Sequence, residues 1–367
     1  MKANIKVFSI ALFLSFFMML VSCGKQEAEW KGTIEEVDGV TVVKNPKEPM
    51  YGEDVFSLEE ELSIGEAEGE EEYMFSEIRH IAVDKNERIY VLDQQEQHIK
   101  VFDKDGKYLM TIGRKGQGPG ELSGSVTISV NQNVLMAQEQ RCLSFFSLDG
   151  KFLKRVLTKE IRTLRAGIDS KGNIVLEEGV FGPENIRQKI KKFDSNMNLI
   201  TEIASSPGFD PRKLFNPFMP RAYWLIDKNN NIVYGYPEDY ELQIYNPGGK
   251  LIKIIKKKYD PIEFTEEEKK EWMKLAPPSV KLDFSQYHSA YNRFFLDDEG
   301  RIFVQTWEKI EDRKGYYYDV FDSEGKYICK IHLKTRPFVL KKSKLYTVEE
   351  DEEGFQFVKR YKVTLKY

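Results

Sequence analysis

Between Ile81 and Gly113 lie four short runs rich in apolar residues, Ile81–Asp84, Ile89–Leu92, His98–Asp103 and Lys107–Ile112. Short apolar runs bounded by turn signals read as β-strands. The runs are broken by polar turns at Asp84–Arg88, Asp93–Gln97 and Asp103–Gly106, rich in the residues that suit tight turns. The same four-strand unit recurs at Ile128–Leu157, Ala166–Ala204, Trp224–Ile255 and Phe294–Leu333, and a sixth copy runs from Phe338 to Tyr361 and then stops short of a fourth strand. Upstream, Val55–Gly65 stands alone, and its ending Leu62-Ser63-Ile64-Gly65 matches Met110-Thr111-Ile112-Gly113 in the fourth strand of the first copy. A chain that starts with strand four and ends after strand three closes into a ring when its ends pair, which removes two exposed sheet edges. The expectation is an all-β, six-bladed β-propeller whose last blade is completed by the N-terminal strand.

Two stretches fall outside the repeat. Trp30–Pro49 alternates around Asp38-Gly39 and predicts a hairpin. Between the fourth and fifth copies, residues 256–292 form an insertion in which Thr265-Glu266-Glu267-Glu268 is a capping box and Pro277-Pro278 a stop. A short helix is expected there, with Trp272 and Met273 packing it on the ring.

The first 22 residues carry an address. Lys2 and Lys6 precede an apolar run from Val7 to Val21, too short for a comfortable span, which is the pattern of a secretory signal. The domain plan is therefore a signal peptide at 1–22, a tether and hairpin at 23–54, and the propeller at 55–367. With the signal removed, 53 basic residues face 59 acidic ones, a net charge of −6. That balance gives no footing to a nucleic-acid partner. Cys142 and Cys329 fall on strands of different copies and read as buried free thiols, with a disulfide left open. No paired-cysteine, His-Glu-x-x-His, Gly-x-Ser-x-Gly or phosphate-loop motif occurs. No cofactor, metal site or catalytic residue is assigned.

These residues carry two resemblances. Leu20-Val21-Ser22-Cys23 is similar to a bacterial lipobox, which implies lipidation of Cys23 and attachment to a membrane, since several acyl chains anchor stably. The repeat resembles the NHL-type unit, and the chain from about Val55 to Tyr361 resembles the six-bladed propeller lipoproteins of Bacteroidota and related bacteria. Gly113-Arg114-Lys115-Gly116-Gln117-Gly118-Pro119-Gly120-Glu121-Leu122 is similar to a turn frequent in that family. The resemblance implies a cell-envelope protein, at the outer membrane or cell surface rather than the inner membrane.

In a four-stranded blade, the turns between strands 1 and 2 and between strands 3 and 4 share one face of the disc. Here they are short. The opposite face receives the long loops 66–80, 114–127, 177–188, 205–223, 256–293 and 305–316, and long loops on a rigid scaffold are where binding residues collect. An arginine also precedes the first strand of five copies: Arg79, Arg165, Arg221, Arg293 and Arg336; the second copy has Thr127 nearby. First strands line a propeller's channel, so five guanidinium groups would ring its mouth, suited to carboxylate or phosphate. The alternative is that each pairs with a neighbouring Asp or Glu and ties blades together. Tyr223 and Trp307 are further candidates at the mouth, as stacking surfaces.

The function expected is a non-catalytic binding or scaffold module. It would engage an envelope protein, glycan or peptide, or an anionic ligand, through the long-loop face. The alternative is a metal-dependent, lactonase-like hydrolase or lyase at the channel mouth. Its candidate oxygen ligands would be Glu77, Glu178 and Asn292, which show no convergent spacing.

Overall fold

The structure, a computed structural model, describes residues 29–366 except 53–54, 159–160, 184, 211, 213, 278–279 and 309–314. The signal segment and Cys23 lie outside the described residues. Strands β1 (Thr33–Val37) and β2 (Val40–Asn45) form the expected hairpin, and β3 (Phe56–Ile64) follows. Blade 1 is β4 (Ile78–Val83), β5 (Ile89–Asp93), β6 (His98–Phe102) and β7 (Tyr108–Ile112). Blade 2 is β8 (Thr127–Val130), β9 (Val134–Gln138), β10 (Cys142–Ser147) and β11 (Phe152–Leu157). Blade 3 is β12 (Thr163–Ile168), β13 (Ile174–Phe181), β14 (Ile186–Phe193) and β15 (Leu199–Pro207). Blade 4 is β16 (Tyr223–Ile226), β17 (Ile232–Gly235), β18 (Glu241–Tyr245) and β19 (Leu251–Lys257). Blade 5 is β20 (Arg293–Leu296), β21 (Ile302–Gln305), β22 (Tyr316–Phe321) and β23 (Tyr327–Leu333). Blade 6 is β24 (Pro337–Lys341), β25 (Lys344–Glu350) and β26 (Gln356–Leu365), completed by β3.

The ring closes as the repeat predicts. β3 lies antiparallel to β26, with Ile64 opposite Val358 and Phe56 opposite Leu365. First strands touch their neighbours all the way round, in the order β4, β8, β12, β16, β20, β24 and back to β4. Apolar side chains of adjacent blades interlock between the sheets. Tyr90, Leu92 and Ile99 of blade 1, for example, pack on Ile128, Leu135 and Phe146 of blade 2. Asp84, Asp169, Asp227 and Asp297 build the short turns on one face. In each, one carboxylate oxygen accepts the backbone N–H groups two and four residues on, as Asp84 does from Asn86 at 2.8 Å and Arg88 at 3.0 Å.

The structure adds three things to the expected plan. First, the N-terminal hairpin is part of the disc. β2 runs parallel to β19, Thr41 opposite Lys253 and Asn45 opposite Lys257, so blade 4 has six strands. The hairpin turn sets Asp38 and Gly39 at φ 52° and 75°, the left-handed pair that a two-residue loop of this hand requires. Asn45 is buried, and its side chain reaches blade 5, donating to Gly325 O at 2.9 Å and accepting from Tyr327 N at 2.7 Å. Beyond it the chain crosses to blade 5, where Met50 N donates to Tyr327 O and Tyr51 N to Ile328 O. Second, the stretch 177–188, expected as a long loop, is mostly strand. β13 and β14 stay paired out to Phe181 and Ile186, where Val180, Phe181 and Ile186 supply the β-branched and aromatic residues that favour strand. Third, Met273 does not hold the inserted helix.

That helix, α1 (Glu266–Leu275), has the expected capping box. Thr265 accepts from Glu268 N at 3.2 Å, and the Glu268 carboxylate accepts from Thr265 N at 2.8 Å. It buries no residue, and Met273 is 55% exposed. Trp272 alone makes the predicted contact, edge-on to Phe218 with ring centres 5.6 Å apart. From Phe218 an aromatic chain runs through Phe264, His288 and Trp307 to blade 5. Cys142 and Cys329, on β10 and β23, are free thiols.

Candidate functional site: the channel mouth

Strand register decides where the five arginines stand. Arg165 on β12 lies opposite Glu177 and Arg293 on β20 opposite Gln305, the same position in their blades. In blade 1 a bulge between Ile78 and His80 leaves Arg79 as the extra residue and gives that position to His80. In blade 4 it belongs to Tyr223, opposite Gly235, and in blade 2 to Thr127, opposite Gln138. Arg336 directly precedes β24, and Arg221 lies two residues before β16.

Four of the five act on common neighbours. His80 is held neutral, its pKa pulled from 6.5 down to about 4, first by burial and then by the positive charges of Arg165, Arg336 and Arg79. The Arg336 guanidinium is itself shifted down, first by burial and then by repulsion from Arg293. Burial raises the Tyr318 hydroxyl, and Arg293 and Arg336 pull it back. Aromatic faces hold the guanidinium groups in place. Arg165 sits 4.4 Å from the ring centres of both Tyr223 and Trp224, and Arg336 sits 5.6 Å from that of Phe338. Arg221 is exposed and has no such partner among the described residues.

None of the five makes an ion pair or hydrogen bond with a carboxylate among the described residues. Arginines elsewhere do: Arg88 with Asp84, Arg155 with Glu139, Arg301 with Asp297 and Arg360 with Glu61. Among the described residues, then, the expected alternative of blade-tying ion pairs is not seen at these side chains. Glu177 is the acid opposite Arg165. It is buried, accepts from Trp224 Nε1 at 3.1 Å, and has its pKa raised by burial against the opposing pull of Arg165. Two polar atoms in the same cluster have no partner among the described residues: Tyr318 Oη, on a side chain 1% exposed, and His80 Nδ1. A buried polar atom left unpaired costs about 1–3 kcal/mol. Clustered cations beside a hydroxyl with no partner among the described residues are chemistry that an anion would satisfy.

The candidate metal ligands stand on three blades: Glu77 just before β4, Glu178 on β13 and Asn292 just before β20. Glu178 pairs with Lys191 at 2.5 Å. Among the described residues no group of three His, Cys, Asp or Glu side chains is placed to hold an ion.

Trp307 is not at the mouth. It lines a separate cavity of about 640 Å³ between blades 4 and 5, which none of the five arginines lines. The floor of that cavity is a charged network that sequence reasoning missed. Asp319, fully buried in β22, accepts from Tyr240 Oη and Tyr327 Oη at 2.6 Å each and pairs with Lys257 at 3.3 Å. Its one signal is a lone carboxylate in an otherwise apolar and aromatic strand, Tyr316-Tyr317-Tyr318-Asp319-Val320-Phe321.

Six radial sheets around a channel, sealed by pairing of the two ends of the ring, define the protein as a six-bladed β-propeller. Residues 66–355 match the model of DUF5128, described as a 6-bladed beta-propeller, and the chain belongs to that family. No curated protein matches. Among solved structures the chain is similar to a Bacteroides fragilis NCTC 9343 protein assigned as exported, at 13% identity and TM-score 0.58 over 89% of this chain and 100% of that one. It is also similar to a DUF4221 family member from Bacteroides vulgatus ATCC 8482, at 13% identity and TM-score 0.54 over 86% of this chain and 100% of that one. Likenesses at this identity show the fold.

Proposed function

We propose that this propeller is a non-catalytic binding module of the bacterial cell envelope, exported by residues 1–22 and anchored through a lipid on Cys23, and that its channel mouth captures an anionic group, a carboxylate or a phosphate. The observation that carries the reading is a set of arginines, Arg79, Arg165, Arg293 and Arg336, that have no carboxylate partner among the described residues and gather about His80 and the Tyr318 hydroxyl, itself unpartnered among them. Bringing in an anion would relieve the repulsion between Arg293 and Arg336 and supply acceptors to forked donors. A membrane tether and a rigid disc suit capture of a larger molecule by an acidic group. The exported neighbour of similar fold is consistent with the envelope setting. The reading is tested by titrating sulfate and citrate into the protein and into Arg165→Ala/Arg293→Ala/Arg336→Ala at low salt. Removing charge-assisted contacts predicts a loss of affinity of about tenfold or more with an unchanged circular dichroism spectrum. Equal affinity in the two proteins, or no binding to either anion, overturns it.

A further inference from the structure

We propose that the cavity between blades 4 and 5 is a second binding site, for an uncharged saccharide. The proposal does not depend on the anion reading, because the two sites share no lining residue and differ in electrostatics. At the mouth the arginines have no carboxylate partner among the described residues. In the cavity the cations are paired: Lys47 with Asp260, Lys330 with Glu308 at 2.5 Å, and Lys257 with Asp319 at 3.3 Å. Of the ionised side chains that line it, Glu48 alone remains outside these pairs. A ligand of either charge therefore meets little net field.

The walls offer flat apolar surface. Tyr51, Tyr259, Trp307 and Tyr317 are each half-buried, with part of their surface left open, and all line the same space. The Trp307 ring is set before a ligand arrives: its Nε1 donates to Ser289 Oγ at 3.2 Å, and its plane stacks on His288 with ring centres 4.5 Å apart. The floor is equally fixed, since both Asp319 oxygens are taken by tyrosine hydroxyls. The roof is the segment 47–52, held to blade 5 by Met50 N and Tyr51 N. Preset rings and a rigid floor reduce the ordering cost of binding. A volume of about 640 Å³ suits a small-molecule site. A pyranose matches this lining. Its C–H faces shed water against aromatic rings, and its equatorial hydroxyls hydrogen-bond to the paired carboxylates and ammonium groups at the rim.

The test is saturation-transfer NMR with a panel of neutral disaccharides, namely maltose, cellobiose, lactose and diacetylchitobiose, on the full protein and on Trp307→Ala, Tyr259→Ala and Arg165→Ala/Arg293→Ala. Saturable binding of at least one sugar is expected. Either aromatic substitution should weaken it about tenfold, as loss of a buried aromatic contact does, and the arginine double variant should leave it unchanged. Because Tyr259 is only half-buried and lies outside the strands, its variant reads the site even where Trp307→Ala fails to fold. Three results overturn the proposal: no saturable binding by any member of the panel, binding indifferent to both aromatic substitutions, or selective uptake of a lysine-rich peptide that the same substitutions abolish while no sugar competes.

Discussion

His80 gives the channel mouth a titratable reporter. In the unfolded chain its imidazole protonates near pH 6.5, whereas in the fold burial and the charges of Arg165, Arg336 and Arg79 hold protonation off until about pH 4. Between those values the unfolded chain takes up a proton that the folded protein refuses. Stability is therefore full above about pH 6.5, falls as the pH drops, and levels off below about pH 4. Each pH unit between the two protonation midpoints is worth about 1.4 kcal/mol, so the whole loss is ~3 kcal/mol, and about 2 kcal/mol of it is present by pH 5. The experiment is urea denaturation at pH 7 and pH 5 on the protein and on His80→Gln, which cannot titrate. The native protein should lose ~2 kcal/mol more than the variant over that interval. Sulfate, which keeps its charge throughout, should raise the imidazole pKa seen by NMR by offsetting the guanidinium charges, and by reciprocity should bind more tightly as the pH falls. Identical pH dependence in the two proteins, or an imidazole titrating near its ordinary value, would refute both the burial and the convergence of the arginines.

Three further outcomes follow from contacts elsewhere. Asp319→Ala would strand the buried Lys257 and two buried tyrosine hydroxyls, at a cost of ~3–5 kcal/mol in urea denaturation; a change under about 1 kcal/mol would mean that the network contributes little. Asn45→Ala removes four hydrogen bonds, to Trp30, Lys256, Gly325 and Tyr327. It should speed amide exchange at Met50 and Tyr51 and leave β4–β7 protected. Thr265→Ala should destabilise α1 locally by about 1 kcal/mol, read as faster exchange at Glu268, with the melting temperature of the disc unchanged because the helix buries nothing.

How far the chain can be read from residues alone depends on how local each cause is. Short apolar runs and the polar turns between them act within a blade, so the blades and their number are visible. The ring closure, though distant in sequence, is visible too, because a missing fourth strand at one end and a spare one at the other leave one pairing. The docking of β1 and β2 is not visible. Any fourth strand offers a similar open edge, and what selects β19 is Asn45 reaching Lys256 and Gly325, more than 200 residues away. At the mouth the arginines themselves are legible and their positions are not. A single bulged residue in β4 puts His80 where Arg79 is expected. Its loop assigns Trp307 to the mouth, but the face of a disc is wide, and the stack on His288 places the ring between blades instead. Asp319 shows the limit most plainly, because a lone carboxylate in a strand looks the same whether its partners are water or two tyrosines and a lysine.

A crystal structure of the protein grown with saturating citrate would show whether the mouth holds an anion. A carboxylate within hydrogen-bond distance of Arg165, Arg293 or Arg336 and of the Tyr318 hydroxyl is the predicted result. A mouth filled only by water, or closed by carboxylates of the protein itself, would contradict it.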